Sequence, residues 1–131
     1  MKATDLQIGD YVKAQGYDWL KVTEVSSSYA CFGNKWHGLK YNKIQPIPLE
    51  KKHLIENGFK VREETDDTEF YYYDCYEINV SFNEGISDEN IPPIIFLTIE
   101  FAEKSLAMPI EYVHELQQAM RIMGCKKEIK L

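Results

Sequence analysis

His114-Glu115-Leu116-Gln117-Gln118 is the stretch whose residue types and spacing come nearest to a reaction centre. Two histidines one helical turn apart, with a glutamate after the first, hold zinc and activate water in metalloproteases. Here the second position is Gln118, a poor zinc ligand, so the stretch reads as an ordinary helix surface. His37 and His53 stand apart from any acid and nucleophile pattern, and no Gly-x-Ser-x-Gly elbow or glycine-rich phosphate loop occurs. The neighbouring carboxylates Asp66 and Asp67, and again Asp88 and Glu89, lack the alternating oxygen ligands, central glycine and distal glutamate of a calcium loop. They read as solvated charge. Cys31, Cys75 and Cys125 are far apart, odd in number and without a Cys-x-x-Cys pair, which suits reduced, buried thiols. No catalytic residue, metal or cofactor is expected, and the chain reads as a non-enzyme.

Two other clusters suit binding better than catalysis. Phe70-Tyr71-Tyr72-Tyr73-Asp74-Cys75-Tyr76 is dense in aromatics. Strand alternation puts Tyr71 and Tyr73 on one face and Phe70 and Tyr72 on the other, so at least one side offers tyrosines to solvent. Tyrosine buries much area at little entropic cost, and Tyr71, Tyr72 and Tyr73 are the expected contact residues for a protein partner. The alternative is Lys35, Trp36, Lys40, Tyr41 and Lys43, where lysines interleave with aromatics that could stack bases and neutralise phosphates. Against it stands the acidic balance of the whole chain, a net charge of −6.

These residues must be positioned by a small frame. At 131 residues, with 44% apolar and 27% charged side chains, the chain can build an ordinary globular core. No apolar run approaches the roughly 18 residues of a membrane span, and Met1-Lys2-Ala3-Thr4-Asp5 opens no signal peptide. The expectation is a soluble, cytoplasmic protein without a membrane partner. Charge is uneven: residues 1–48 hold six lysines against four acids, while residues 49–131 hold nine basic against seventeen acidic groups.

Ile8, Val12, Leu20, Val22 and Val25 fall in short β-branched runs punctuated by Gly9 and Gly16, and four or five strands in under fifty residues suggest an SH3-like small β-barrel over residues 1–47. Pro46 and Pro48 mark the boundary. Residues 48–131 then read as an α+β unit. It starts with a helix from Leu49 to Asn57 stopped by Gly58, and continues with an antiparallel sheet from residues 60–64, 69–73, 76–82 and 94–101. A C-terminal helix over 109–124 follows, with Pro109 in its first turn and Val113, Leu116, Met120 and Met123 as its apolar stripe. The fold class is α+β, and the two parts can equally form one compact domain. The tail from Glu128 to Leu131 alternates like an edge strand.

Three pieces in a fixed order carry a resemblance: Met1-Lys2-Ala3-x-x-Leu6-x-Ile8-Gly9-Asp10-Tyr11-Val12, then Ile47-Pro48-Leu49 leading to Glu56-Asn57-Gly58-Phe59, then Tyr112-Val113-His114-Glu115-Leu116-Gln117. The chain resembles small uncharacterised proteins of anaerobic gut bacteria and their prophages. The resemblance implies mobile-element cargo and transfers no site residue. Taken together, the sequence points to a protein-binding or adaptor module, with nucleic-acid binding as the alternative.

Overall fold

The computed structural model describes residues 1–33, 38–64, 68–73, 77–83 and 93–131, residues 63 and 64 by their backbone alone. The chain divides into two compact units, one of residues 1–48 with 112–118 and Leu131, the other of residues 49–111 with 119–130. All strand pairing among the described residues is antiparallel, and two α-helices accompany it, which makes the protein α+β.

In the first unit, β1 (Tyr11–Ala14), β2 (Tyr17–Lys21), β3 (Glu24–Val25), β4 (Tyr29–Cys31), β5 (Leu39–Lys40) and β6 (Ile44–Pro46) form two three-stranded sheets, ordered β2-β1-β6 and β3-β4-β5. Inward residues from both sheets meet in one cluster of Leu6, Val12, Leu20, Val22, Ala30, Phe32, Tyr41 and Ile44. No ladder joins the two sheets among the described residues, so this unit is a pair of sheets over a common core and not a closed barrel.

The second unit is built on a five-stranded sheet. Following α1 (Lys51–Glu56) come β7 (Lys60–Glu64), β8 (Thr68–Tyr73), β9 (Ile78–Asn83), β10 (Ile94–Phe101) and β11 (Lys104–Ile110), ordered β11-β10-β9-β8-β7. Period-two alternation gives the sheet two unlike faces. Tyr71, Ile78, Val80, Phe82, Ile95, Leu97 and Ile99 are buried on one. Phe70, Tyr72, Asn79, Ser81, Phe96 and Thr98 stand in register on the other, which is partly or fully open. The unit also buries Leu54 and Phe59 around α1, and Ala119, Met120 and Met123 from α2 (Val113–Ile122) onward. Each leucine, isoleucine, valine, phenylalanine or methionine among them contributes about 1.5 to 3 kcal/mol when fully buried.

The same device stops both helices. Gly58, at φ +87°, and Gly124, at φ +80°, take the left-handed conformation that a Cβ disfavours. Each closes a double return. Gly58 and Phe59 donate to the carbonyls of Ile55 and Leu54, and Gly124 and Cys125 donate to those of Arg121 and Met120. Among the described residues no helix is long and apolar enough to cross a membrane.

Two further expectations of the sequence are revised. Pro109 is not in a helix but in β11, opposite Phe96, and the last helix starts at Val113. Proline is tolerated there because β11 is an edge strand whose outward N–H has no ladder partner to supply. Residues 104–108, left unassigned by the sequence, belong to the same strand. The tail from Glu128 to Leu131 takes no strand pairing. Instead the Asn57 side chain holds Lys130, donating from Nδ2 to its carbonyl at 2.9 Å and accepting its N–H on Oδ1 at 2.7 Å, with Ile129 buried beside it.

Candidate partner-binding surface

β8 carries the tyrosines, and its alternation separates them. Tyr71 is only 4% exposed, edge-on to Phe82, with its hydroxyl donating to Glu69 Oε2 at 2.6 Å. It cannot meet a partner. Glu69 is anchored further by Lys51 Nζ at 3.0 Å, and the tyrosine hydroxyl first, the lysine second, hold its carboxyl below the usual range. Tyr73 lies on the covered side, against Phe59 and under the Lys127 ammonium, yet is half-buried. Tyr72 alone faces the open side, in register with Asn79 and Lys60.

Tyr72 and Tyr73 nonetheless border one feature, an open concavity of about 730 Å³ whose polar wall includes Arg62, Glu77, Asn79 and Glu100. Arg62 donates to Asn79 Oδ1 at 3.4 Å across its floor. On the same sheet face Ile94 and Phe96 are exposed large apolar residues. A partner there would meet apolar surface bounded by one cation and two carboxylates.

Of the alternative lysine and aromatic run, Lys40, Tyr41 and Lys43 are among the described residues. Lys35 and Trp36 lie outside the described residues, as do His37, Cys75, Asp66, Asp67, Asp88 and Glu89. Lys40 and Lys43 are exposed, but Tyr41 is buried, its hydroxyl donating to the carbonyls of Ser26 and Tyr29. It ties a loop and cannot stack on a base.

The titratable groups that could do chemistry are engaged structurally. His53 is buried and its Nδ1 accepts the Glu50 N–H at 3.0 Å, closing the first turn of α1. Burial, more than the opposed pulls of Glu50, Glu56 and Lys52, lowers its pKa. His114 is buried and stacked on Tyr112, and its pKa too is lowered by burial against the opposing fields of Asp10, Glu115 and Asp5. Asp10 is fully buried, its carboxylate accepting the Gln7 N–H at 2.7 Å and Gln118 Nε2 at 2.6 Å. Gln118 thus cross-links helix to loop. Burial pushes the Cys31 and Cys125 thiols up, with Glu24 adding to the effect at Cys31. Both therefore stay protonated at neutral pH. No group of three or more histidine, cysteine or acidic residues able to hold a metal is present among the described residues.

Sequence reasoning missed two exposed aromatics of β2, Tyr17 and Trp19, each 48% exposed. Trp19 is held edge-on to Tyr11 at 5.4 Å, and Lys21 Nζ sits over the same Tyr11 ring. Trp19 and Lys21, two apart, share a face, but a bulge between the Val12–Leu20 and Ala14–Tyr17 pairs sets Tyr17 opposite Ala14 and off that face.

The chain matches no family model, no curated protein and no solved structure.

Proposed function

We propose that the protein is a non-enzymatic binding or adaptor module of mobile-element or prophage origin, acting in the cytoplasm and docking another protein on the open face of the five-stranded sheet. The observation that carries this reading is the open face itself. Tyr72, Phe96 and Ile94 stand on it beside a concavity edged by Arg62 and Glu100, the mixture of aromatic anchor and polar rim that protein interfaces favour. The first unit, with two small sheets over one core, is consistent with an SH3-like framework that supports presentation and not reaction.

The test is affinity capture from a native host followed by calorimetry of the purified pair. Tyr72→Ser combined with Phe96→Ser should weaken the complex by tenfold or more, the usual size of losing a central aromatic contact. Equal affinity in the variant and the parent, with unchanged thermal melting, removes this face from the reading.

A further inference from the structure

We propose that the open face of the five-stranded sheet pairs with the same face of a second copy of this chain, about a two-fold axis running close to β9. The inference rests on reading that face as a docking surface and names its occupant. Register carries it. β8 and β10 flank β9 at the same level, so that Phe70 and Phe96 both stand beside Ser81, Tyr72 and Thr98 both beside Asn79, and Thr68 and Ile94 both beside Asn83. A two-fold axis along β9 exchanges β8 with β10 and keeps each level. It sets Phe70 against Phe96 of the second copy, Tyr72 against Thr98, and Thr68 against Ile94, each contact made twice. Sheets pack face to face about 10 Å apart with their strands within about 30° of one another, and residues beside the axis are displaced least by that angle. The two Phe70 to Phe96 contacts then form the apolar centre of the interface, where ring pairs add to the area they bury.

Charge follows the same axis. Arg62 of β7 reaches over the face to Asn79, while Glu100 stands on β10, on the other side of β9 and two residues beyond Thr98. Both are exposed, and both border the concavity of about 730 Å³. Exchange about β9 brings Arg62 of each copy toward Glu100 of the other, so the face meets its own charges with opposite signs at both ends. A chain of net charge −6 repels its copies in general, and a face that offers itself both signs is where two of them can meet. Five strands about 4.8 Å apart and six residues rising about 3.4 Å each give a face about 20 Å on a side. That is small beside the roughly 800 Å² per partner of a standard interface, so the pair forms reversibly, in the micromolar range.

The test is sedimentation velocity of the full chain from about 1 µM to about 300 µM, a span that brackets a micromolar dissociation constant. The parent should pass from monomer to dimer. Arg62→Glu and Glu100→Arg should each weaken pairing about tenfold or more, because each sets like charges together twice. An equimolar mixture of the two variants should pair nearly as well as the parent, since every contact in the mixed dimer again joins opposite signs. Phe96→Ser should weaken pairing about tenfold or more through the lost ring contacts. Should Phe96→Ser lose its fold by circular dichroism, the charge exchange still decides. A chain that stays monomeric throughout overturns the inference, as do single charge variants that pair like the parent, or a mixture that pairs no better than its components. A monomeric parent whose captured host protein is nonetheless lost on combining Tyr72→Ser with Phe96→Ser overturns the second copy alone and leaves the docking face standing.

Discussion

Asn57 substitutes a side-chain amide for a missing strand partner. Its Nδ2 donates to the carbonyls of His53 and Lys130, at 2.7 and 2.9 Å, and its Oδ1 accepts the Lys130 N–H. One buried residue therefore satisfies the end of α1 and the backbone of the last residues together. Replacing it with alanine removes all three bonds and leaves the buried His53 carbonyl without this donor, at a cost of about 2 kcal/mol given the usual price of unmet backbone groups. Urea unfolding of Asn57→Ala checks this, and a loss below about 0.5 kcal/mol would show that water replaces the amide fully. Tyr41 makes the same point about reading residues one at a time. Flanking lysines made it resemble a stacking ring, whereas its hydroxyl closes two backbone carbonyls inside the first unit.

At the level of elements, what the sequence announced and what it concealed follow from local chemistry. Strand 94–101 was legible at both ends because β-branched and aromatic residues crowd it, and Gly58 and Gly124 marked the helix ends. The β10 to β11 hairpin was not legible. Phe101 pairs with Lys104, so Ala102 and Glu103 form a two-residue turn, both with positive φ, at 50° and 65°. That geometry is usually advertised by Asn-Gly or Asp-Gly. Here two ordinary residues occupy it, and β11 itself, with Lys104, Ser105, Ala107 and Pro109, has weak strand propensity. Tertiary pairing to β10 overrides both. The contact surfaces were concealed for a related reason: linear density of tyrosine or lysine says nothing of which face each residue joins, and Tyr71 was lost to the core by parity alone. The turn gives a prediction. Ala102→Asn with Glu103→Gly relieves two left-handed side-chain conformations and should stabilise the protein by about 1 kcal/mol, a rise of about 4 °C in melting temperature. Unchanged or lower melting would mean the turn is not strained as its dihedrals indicate.

Among the described residues each unit carries one buried histidine whose pKa burial lowers, and this shapes how stability responds to acid. His114 belongs to the first unit and His53 to the second. Burial lowers both pKa values from 6.5, and in His53 the Nδ1 lone pair is committed to the Glu50 N–H, a bond that protonation would abolish. The unfolded chain, with ordinary histidines, then binds more protons than the folded chain below pH 6.5. Stability must therefore be complete above that value and fall as pH drops beneath it, by at most about 1.4 kcal/mol per pH unit for each histidine. Glu69, whose carboxyl is lowered by Tyr71 and Lys51, acts in the same direction but only at lower pH, below the ordinary glutamate range. Urea unfolding at pH 7.5, 6.5 and 5.5 should show little change over the first step and a clear loss over the second. His53→Gln keeps an acceptor for the Glu50 N–H without a titrating proton, so His53→Gln combined with His114→Gln should flatten the profile between pH 6.5 and 5.5. The same loss in the double variant as in the parent would place the acid sensitivity elsewhere in the chain.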